Sequence, residues 1–326
     1  MTTRDHTVGI DIGGTTTSLG IVDCHGKVIS EATIPTHPHE AARFLVIRLH
    51  HKIEEIRAKC GRDIRLAGIG IGAPNASYLR GTVENPVNLQ WGASTNLVAM
   101  FQEYYDQPIA ITNDANAAAI GEMLFGGARG MKDFIVITLG TGLGSGIVAD
   151  GELLYGSDGF AGELGHTVVD PFGRFCACGK RGCLEGYASA SGICRTVSEL
   201  LSSQRDPTPL SAIAPDKLTS LDVYQAALKG DLLALAAFDA TAFFLGMKLA
   251  DAVAHTGPTA IFLTGGLADA GDVLFAPTRK YLEEFLFTPY KGSVKLLPSG
   301  MQGGNSSIAG AAALIWNKLQ KKSASS

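Results

Sequence analysis

The stretch IVITLGTGLGSGIVADGELL (135–154) repeats VGIDIGGTTTSLGIVDCHGKV (8–28). Each is an apolar run, a Gly/Thr-rich turn, a second apolar run, a short turn bearing Asp or Gly, and the start of a third run. Asp11 aligns with Thr138 and Gly13 with Gly140; with one residue deleted, Gly20 aligns with Gly146 and Ile21-Val22 with Ile147-Val148. An internal repeat at this spacing predicts two related domains, each opening with a β-hairpin whose glycine turn faces a shared cleft. Chance likeness between Gly/Thr-rich hairpins is the plain alternative.

Outward from the repeat, strand and helix signals alternate. KVISEATI reads as a third strand after a tight turn at His25-Gly26, and a helical stretch follows from about Glu40 to Cys60. RLAGIGIGAP reads as a buried strand ending in a turn, NLVAMFQEYY as a helix, and PIAITND as a strand running into the helix ANAAAIGEMLF. Later, TAIFLTGG and GSVKLLPS read as strands, VLFAPTRKYLEEFLF and NSSIAGAAALIWNKL as helices. The pattern predicts a mixed α/β sheet covered by helices. With no Pro/Gly/Ser linker, the domain junction is expected at helices near residues 120 and 305. This gives a smaller domain of 1–119 plus 304–326 and a larger one of 120–303.

Composition narrows the function. Among 326 residues, charged residues are 18% and glycines number 40, which suits a chain whose backbone approaches a ligand closely. A net charge of -4 without a basic stripe disfavours nucleic acid as a partner. No signal peptide or run of about twenty apolar residues is visible, so no membrane span is expected; LLALAAFDATAFFLGMKLADAVAH, with two aspartates and a lysine, reads as a core helix. Six cysteines, three of them clustered, do not form a secreted disulfide pattern, and the cytoplasm is the expected compartment.

Two glycine turns, DIGGTTT and LGTGLGSG, present backbone N–H groups and Thr hydroxyls that can hold anionic oxygens. There is no G-x4-G-K-[ST], and GIGIGA (68–73) runs into Ala-Pro-Asn rather than a helix, which removes the P-loop and argues against a dinucleotide fold. Asp11 is either a turn aspartate or an acid orienting a hydrated Mg²⁺ on nucleotide phosphates. Asn113-Asp114 stands between a strand and a helix: one residue serves as an N-cap, and a carboxylate there could accept the proton of an alcohol attacking a phosphoryl group.

The segment GFAGELGHTVVDPFGRFCACGKRGCLE (159–185) contains H-x9-C-x-C-x4-C. His166, Cys176, Cys178 and Cys183 make a four-ligand set suited to structural, tetrahedral Zn²⁺, with glycines 179 and 182 allowing the return turn. Glu163 and Glu185 bracket this segment; two carboxylates and an imidazole facing a cleft would suit a polyol, whereas a surface-loop role is the bland reading.

Together, DIGGTTT, NDANAAAIGE, LGTGLGSGI, the cysteine segment and TGG near Gly265 resemble the ROK sugar kinases in order and spacing over nearly the whole chain. The resemblance implies a two-domain, ribonuclease-H-like fold of the actin and hexokinase type, with a duplicated β-hairpin-led sheet domain, ATP in the cleft, and a zinc-stabilised sugar site. It implies Asp114 as the base acting on a sugar 6-hydroxyl, with Asn113, Glu163, His166 and Glu185 on the ring hydroxyls. It places Asp11, Gly13, Gly14 and Thr15 at the phosphates, Thr138, Gly140, Thr141 and Gly142 opposite, and Gly265 and Gly266 near the nucleoside. His166 would hold metal through one nitrogen and a sugar hydroxyl through the other. A homodimer is implied by the same likeness. GELGH and CLEGYASASGI are similar to the glucokinase members, so glucose is the first expectation; other hexoses and N-acetylhexosamines share the core motifs. ENPVNLQWG is expected to line the sugar site, with Asn85 and Asn88 as candidates. The family also contains repressors with a helix-turn-helix domain ahead of the kinase-like part, for which DIGG at residue 11 leaves no room.

Overall fold

A computed structural model describes residues 5–61, 64–86, 89–203, 207–301, 303 and 305–324. In chain order the elements are β1 (Asp5–Ile12), β2 (Thr16–Val22), β3 (Val28–Pro35), α1 (Ala42–Lys59), β4 (Arg65–Gly72), β5 (Ala76–Ser77), β6 (Thr82–Glu84), β7 (Ser94–Asn96), α2 (Leu97–Gln102), β8 (Ile109–Thr112) and α3 (Asp114–Phe125). They continue with β9 (Phe134–Leu139), β10 (Leu143–Ala149), β11 (Glu152–Leu153), α4 (Ala190–Ser203), α5 (Ser220–Leu228), α6 (Leu232–Thr256), β12 (Ala260–Thr264), α7 (Asp272–Phe285), β13 (Lys295–Pro298) and α8 (Ser306–Ala324).

Two five-stranded sheets share one plan. The first runs β3-β2-β1-β4-β8 and the second β11-β10-β9-β12-β13. In both, the opening hairpin is antiparallel and the last two strands add in parallel. Register follows the sequence repeat: Gly9 faces Gly20 and Asp11 faces Ser18, while Val136 faces Gly146 and Thr138 faces Gly144. Ile12 pairs with Thr17 and Leu139 with Leu143, so four residues turn the first hairpin and three the second. The deleted residue therefore lies in the turn, where it disturbs no strand pairing.

The two faces of β1 are built differently. Val8, Ile10 and Ile12 point to a core shared with Leu45, Leu49, Ile53 and Ile56, which fall on one face of α1. Each such side chain removed from water is worth roughly 1.5–3 kcal/mol. The other face carries glycine. A Cβ on Gly9 or Gly70 would strike the backbone carbonyls of Ile308 and Ala311 in α8. Alternating large residues and glycine thus lets α8 lie directly on the first sheet.

The second sheet buries Ile135, Ile137 and Leu139 under α4 to α7, and Phe134 and Val136 against α3 and α8. α6 is long and apolar enough for a membrane span (mean hydropathy 1.7), but half of that window is buried and it packs on α7 and α4. Its apolar character is used in the core. The chain leaves the first sheet through α3, enters the second at β9, and returns between β13 and α8.

Candidate active site

Between the sheets lies a cleft of about 950 Å³. Both hairpin turns open onto it, through Gly13 to Thr15 on one side and Gly140 to Gly142 on the other. Each turn is closed by its own backbone: Gly13 N donates to Thr16 O at 3.0 Å and Gly140 N to Gly142 O at 3.1 Å. Asp11 stands at the end of β1 on the glycine face, so it meets the start of α8 and hydrogen-bonds Ser307. Thr138 holds the corresponding place and accepts a hydrogen bond from Gly144 N at 3.2 Å.

At the junction of β8 and α3 the adjacent polar residues divide the work. Asn113 is the N-cap, its Oδ1 accepting from Asn116 N at 2.7 Å. This satisfies a helix-end donor and leaves Asp114 free of the capping task. Asp114 opens the helix, accepts from Ala115 N at 2.8 Å, and lines the cleft. Burial pushes its carboxyl above the usual range, opposed by backbone N–H groups and aided by the charge of Glu185. Asp11 is raised for the same first reason, lowered by Ser307, and raised again by Asp114. The two aspartates flank Gly72, whose Cβ position would be 3.8 Å from Asp114 Cα and 3.9 Å from Asp11 Oδ1.

Two glutamates complete the acidic end of the cleft. Glu163 accepts from Asn113 Nδ2 at 3.4 Å, and Glu185 Oε2 accepts from Leu143 N at 3.0 Å. Burial raises the Glu163 carboxyl, and the nearby His166 draws it down. Gly142 leaves room for the Glu185 carboxylate, which a Cβ there would displace.

Behind these acids the cysteine segment folds as a small hairpin, with bridges Val168 to Cys183 and Phe175 to Arg181. Gly179 and Gly182 take φ of +89° and +70°, and a Cβ on Gly182 would strike the carbonyl of Asp170. Ligand atoms of His166, Cys176, Cys178 and Cys183 all lie within 4.8 Å of one another. Cys176 Sγ is 3.6 Å from His166 Nδ1, and Cys178 Sγ is 3.6 Å from Cys183 Sγ. Bonds of about 2.0–2.3 Å to tetrahedral zinc separate ligand atoms by roughly 3.3–3.8 Å. The donor set and its spacing fit that ion. Cys176 Sγ also lies 3.6 Å from Glu185 Oε1, so the cluster and the cleft acid are in contact. The Arg174 guanidinium fastens the hairpin from below: it donates to Gly186 O, Gly192 O and Thr196 Oγ1, and covers the Tyr187 ring at 4.4 Å.

The cleft gathers most residues singled out by sequence, including Gly14, Thr141 and Gly265. Gly266 and His166 are not among the described residues that line it. Asn88 lies outside the described residues. Asn85 is not on the wall either; Asn75 is, with φ of +53°, and its Nδ2 donates to Asn85 O at 3.0 Å. Sequence reasoning missed Asn75, Ser299, Met301, Ser306 and Ser307. The signals were an Asn following Ala-Pro at a strand end and two serines opening a helix.

The sequence model of the ROK family matches residues 7–318. A glucokinase of Halalkalibacterium halodurans is 36% identical over 284 residues, covering 85% of each chain. The structure of a ROK family glucokinase from Streptomyces griseus, in complex with glucose and AMPPNP, is similar with a TM-score of 0.79 at 32% identity, covering 95% of this chain and 98% of that one. A xylose repressor of Bacillus subtilis is 27% identical over 313 residues, 95% of this chain and 77% of the repressor.

Proposed function

The chain belongs to the ROK family, and from that premise we propose that it is an ATP-dependent hexose kinase acting on the 6-hydroxyl of glucose. The observation that carries the reading is Asp114, a carboxylate that opens a helix on the cleft wall, released from capping by Asn113 and set between two glycine turns. The likeness to glucokinases, one of them bound to glucose and an ATP analogue, supports both substrates.

The hexose lies at the Glu163 and Glu185 end, where carboxylates and Asn113 can both accept from and bond to ring hydroxyls. ATP lies across the hairpin turns, with N–H groups and Thr hydroxyls on its phosphates. Asp11 orients the hydrated Mg²⁺ that accompanies the nucleotide. Asp114 takes the proton from O6 as that oxygen bonds to the γ-phosphorus and the bridging bond to the β-phosphate breaks, releasing ADP. A base raised above the ordinary carboxylate range is better matched to this transfer.

His166, Cys176, Cys178 and Cys183 would hold Zn²⁺, which supplies rigidity and no open position. Nδ1 of His166 faces the sulfurs, so metal binding fixes the tautomer and leaves Nε2 for a hydroxyl. The likeness to a xylose repressor supports a second reading, a sugar-responsive regulator. One experiment separates them: ADP release over a panel of hexoses and N-acetylhexosamines with ATP. The kinase reading expects turnover greatest with glucose; sugar binding without ADP release contradicts it.

A further inference from the structure

Glu122 is a buried carboxylate in the last turn of α3, and the reaction as described above gives it no task. Its Oε2 accepts from Gly127 N at 3.1 Å. Its Oε1 accepts from Gly300 N at 2.5 Å and, at 3.4 Å, from Met301 N, which also donates to Ser299 Oγ at 3.1 Å. These donors belong to the two places where the chain passes between the sheets: Gly127 follows α3 on the way to β9, and Gly300 and Met301 follow β13 on the way back to α8. One side chain holds both crossings.

The surroundings leave little slack. A Cβ on Gly126 would occupy the Glu122 carboxylate, and one on Gly300 would strike the backbone of Gly127. A Cβ on Gly121 would come within 2.6 Å of Met301 Sδ. The same α3 starts with Asp114, while Ser299 and Met301 line the cleft wall next to the start of α8, where Ser307 meets Asp11.

We propose that Glu122 is a positioning residue: it clasps both crossings so that the base on α3 and the wall formed by Ser299 and Met301 keep a fixed spacing. Glu122 also lines the cleft, but its carboxylate is committed to these N–H groups. It acts through placement, where an error of about 1 Å can cost on the order of 10²-fold in rate. A carboxylate suits N–H groups that reach both of its oxygens; an amide in its place would aim N–H at N–H on one side.

The role rests on the kinase reading, while its first readout does not. Amide hydrogen exchange of Gly127, Gly300 and Met301 is compared between the wild-type protein and Glu122→Gln. Faster exchange at Gly127 and Gly300, with a smaller change at Met301, which keeps Ser299 Oγ, and the α6 amides unchanged, is expected; unchanged exchange at Gly127 and Gly300 overturns the clasp. The second readout is the ratio of glucose phosphorylation to glucose-free ATP hydrolysis. Loose placement lowers the first rate about tenfold or more while sparing the second, so the ratio falls. A purely structural loss lowers both rates by the same factor, and an unchanged ratio overturns the positioning role. Glu122→Asp, which keeps the charge on a shorter arm, is expected to recover part of the ratio. A wild-type protein that phosphorylates no sugar contradicts the kinase reading, and the exchange result still decides the clasp.

Discussion

The two hairpin-led sheets differ less in their strands than in the helix placed on each. In the first, Gly9 and Gly70 form a bare strip on adjacent strands, and the backbone of α8 lies on it. In the second, the position of Gly9 is taken by Val136, and close approach moves to β10, where Cβ atoms on Gly144 and Gly146 would meet Ala115 and Ala119 of α3. Equivalent strand ends therefore meet different partners. Asp11 faces the start of α8, and Thr138 supports the hairpin beneath α3. Duplicated strands supply the frame, and glycine placement decides which helix, and hence which chemistry, each sheet serves.

The largest break in this comparison is at Asp114, where the two hairpins converge. Asp114→Asn should lower kcat by ~10²–10⁴-fold, read by ADP release. It should also raise the melting temperature at neutral pH. Burial raises this carboxyl in the folded protein, so folding binds its proton more tightly. The contribution favours the fold below the unfolded pKa and is lost as pH rises through the higher folded value. Above that value the wild-type protein carries a partly desolvated charge in the cleft that Asn lacks, so the gain should shrink on acidification. A variant that melts lower than wild type at pH 7 contradicts the burial account. By the same shift, the acid limb of the kcat/KM profile should lie above the ordinary carboxylate range.

Next comes the exchange of strand-end residues. Asp11→Thr gives the first hairpin what the second has, and kcat should fall roughly 10²-fold. Thr138→Asp sets a second carboxylate at the proposed phosphate site and should raise the KM for ATP. Wild-type values in both variants would mean that this asymmetry has no functional content.

A third variant, Gly9→Val, imports the second sheet's residue under α8. Overpacking against a backbone carbonyl should cost about 1–3 kcal/mol or more, seen as a melting temperature several degrees lower. The smallest expected effect concerns the third strands: β3 is long, β11 has two residues, and the chain beyond β11 forms the cysteine hairpin. Cys178→Ala should release zinc, measured by elemental analysis, and raise the glucose KM about tenfold through His166 and Glu185, with the ATP KM unchanged.

Much of this was legible in the chain. The hairpins, their register and the deletion in the turn follow from the repeat, and α1 from its apolar period. The cysteine spacing located the cluster. What stayed hidden has no local signal. Strands β5 to β7 are two or three residues long and owe their form to one another. Asn113 and Asp114 are both able caps, and only the fold shows which one caps. Asn85 was picked from its motif, whereas its carbonyl props Asn75 at the wall. Glu122 reads as an ordinary helix residue until Gly300 is brought beside it from 178 positions away.

α8 carries one more consequence, for the order in which the molecule is made. Residues 306–324 leave the ribosome after every strand of both sheets, yet they cover the glycine strip of the sheet synthesised first. The first sheet has all of its strands once β8 is made, yet one of its faces stays bare until the final turns of the nascent polypeptide arrive. Ser307, which meets Asp11 at the cleft, arrives with that same helix.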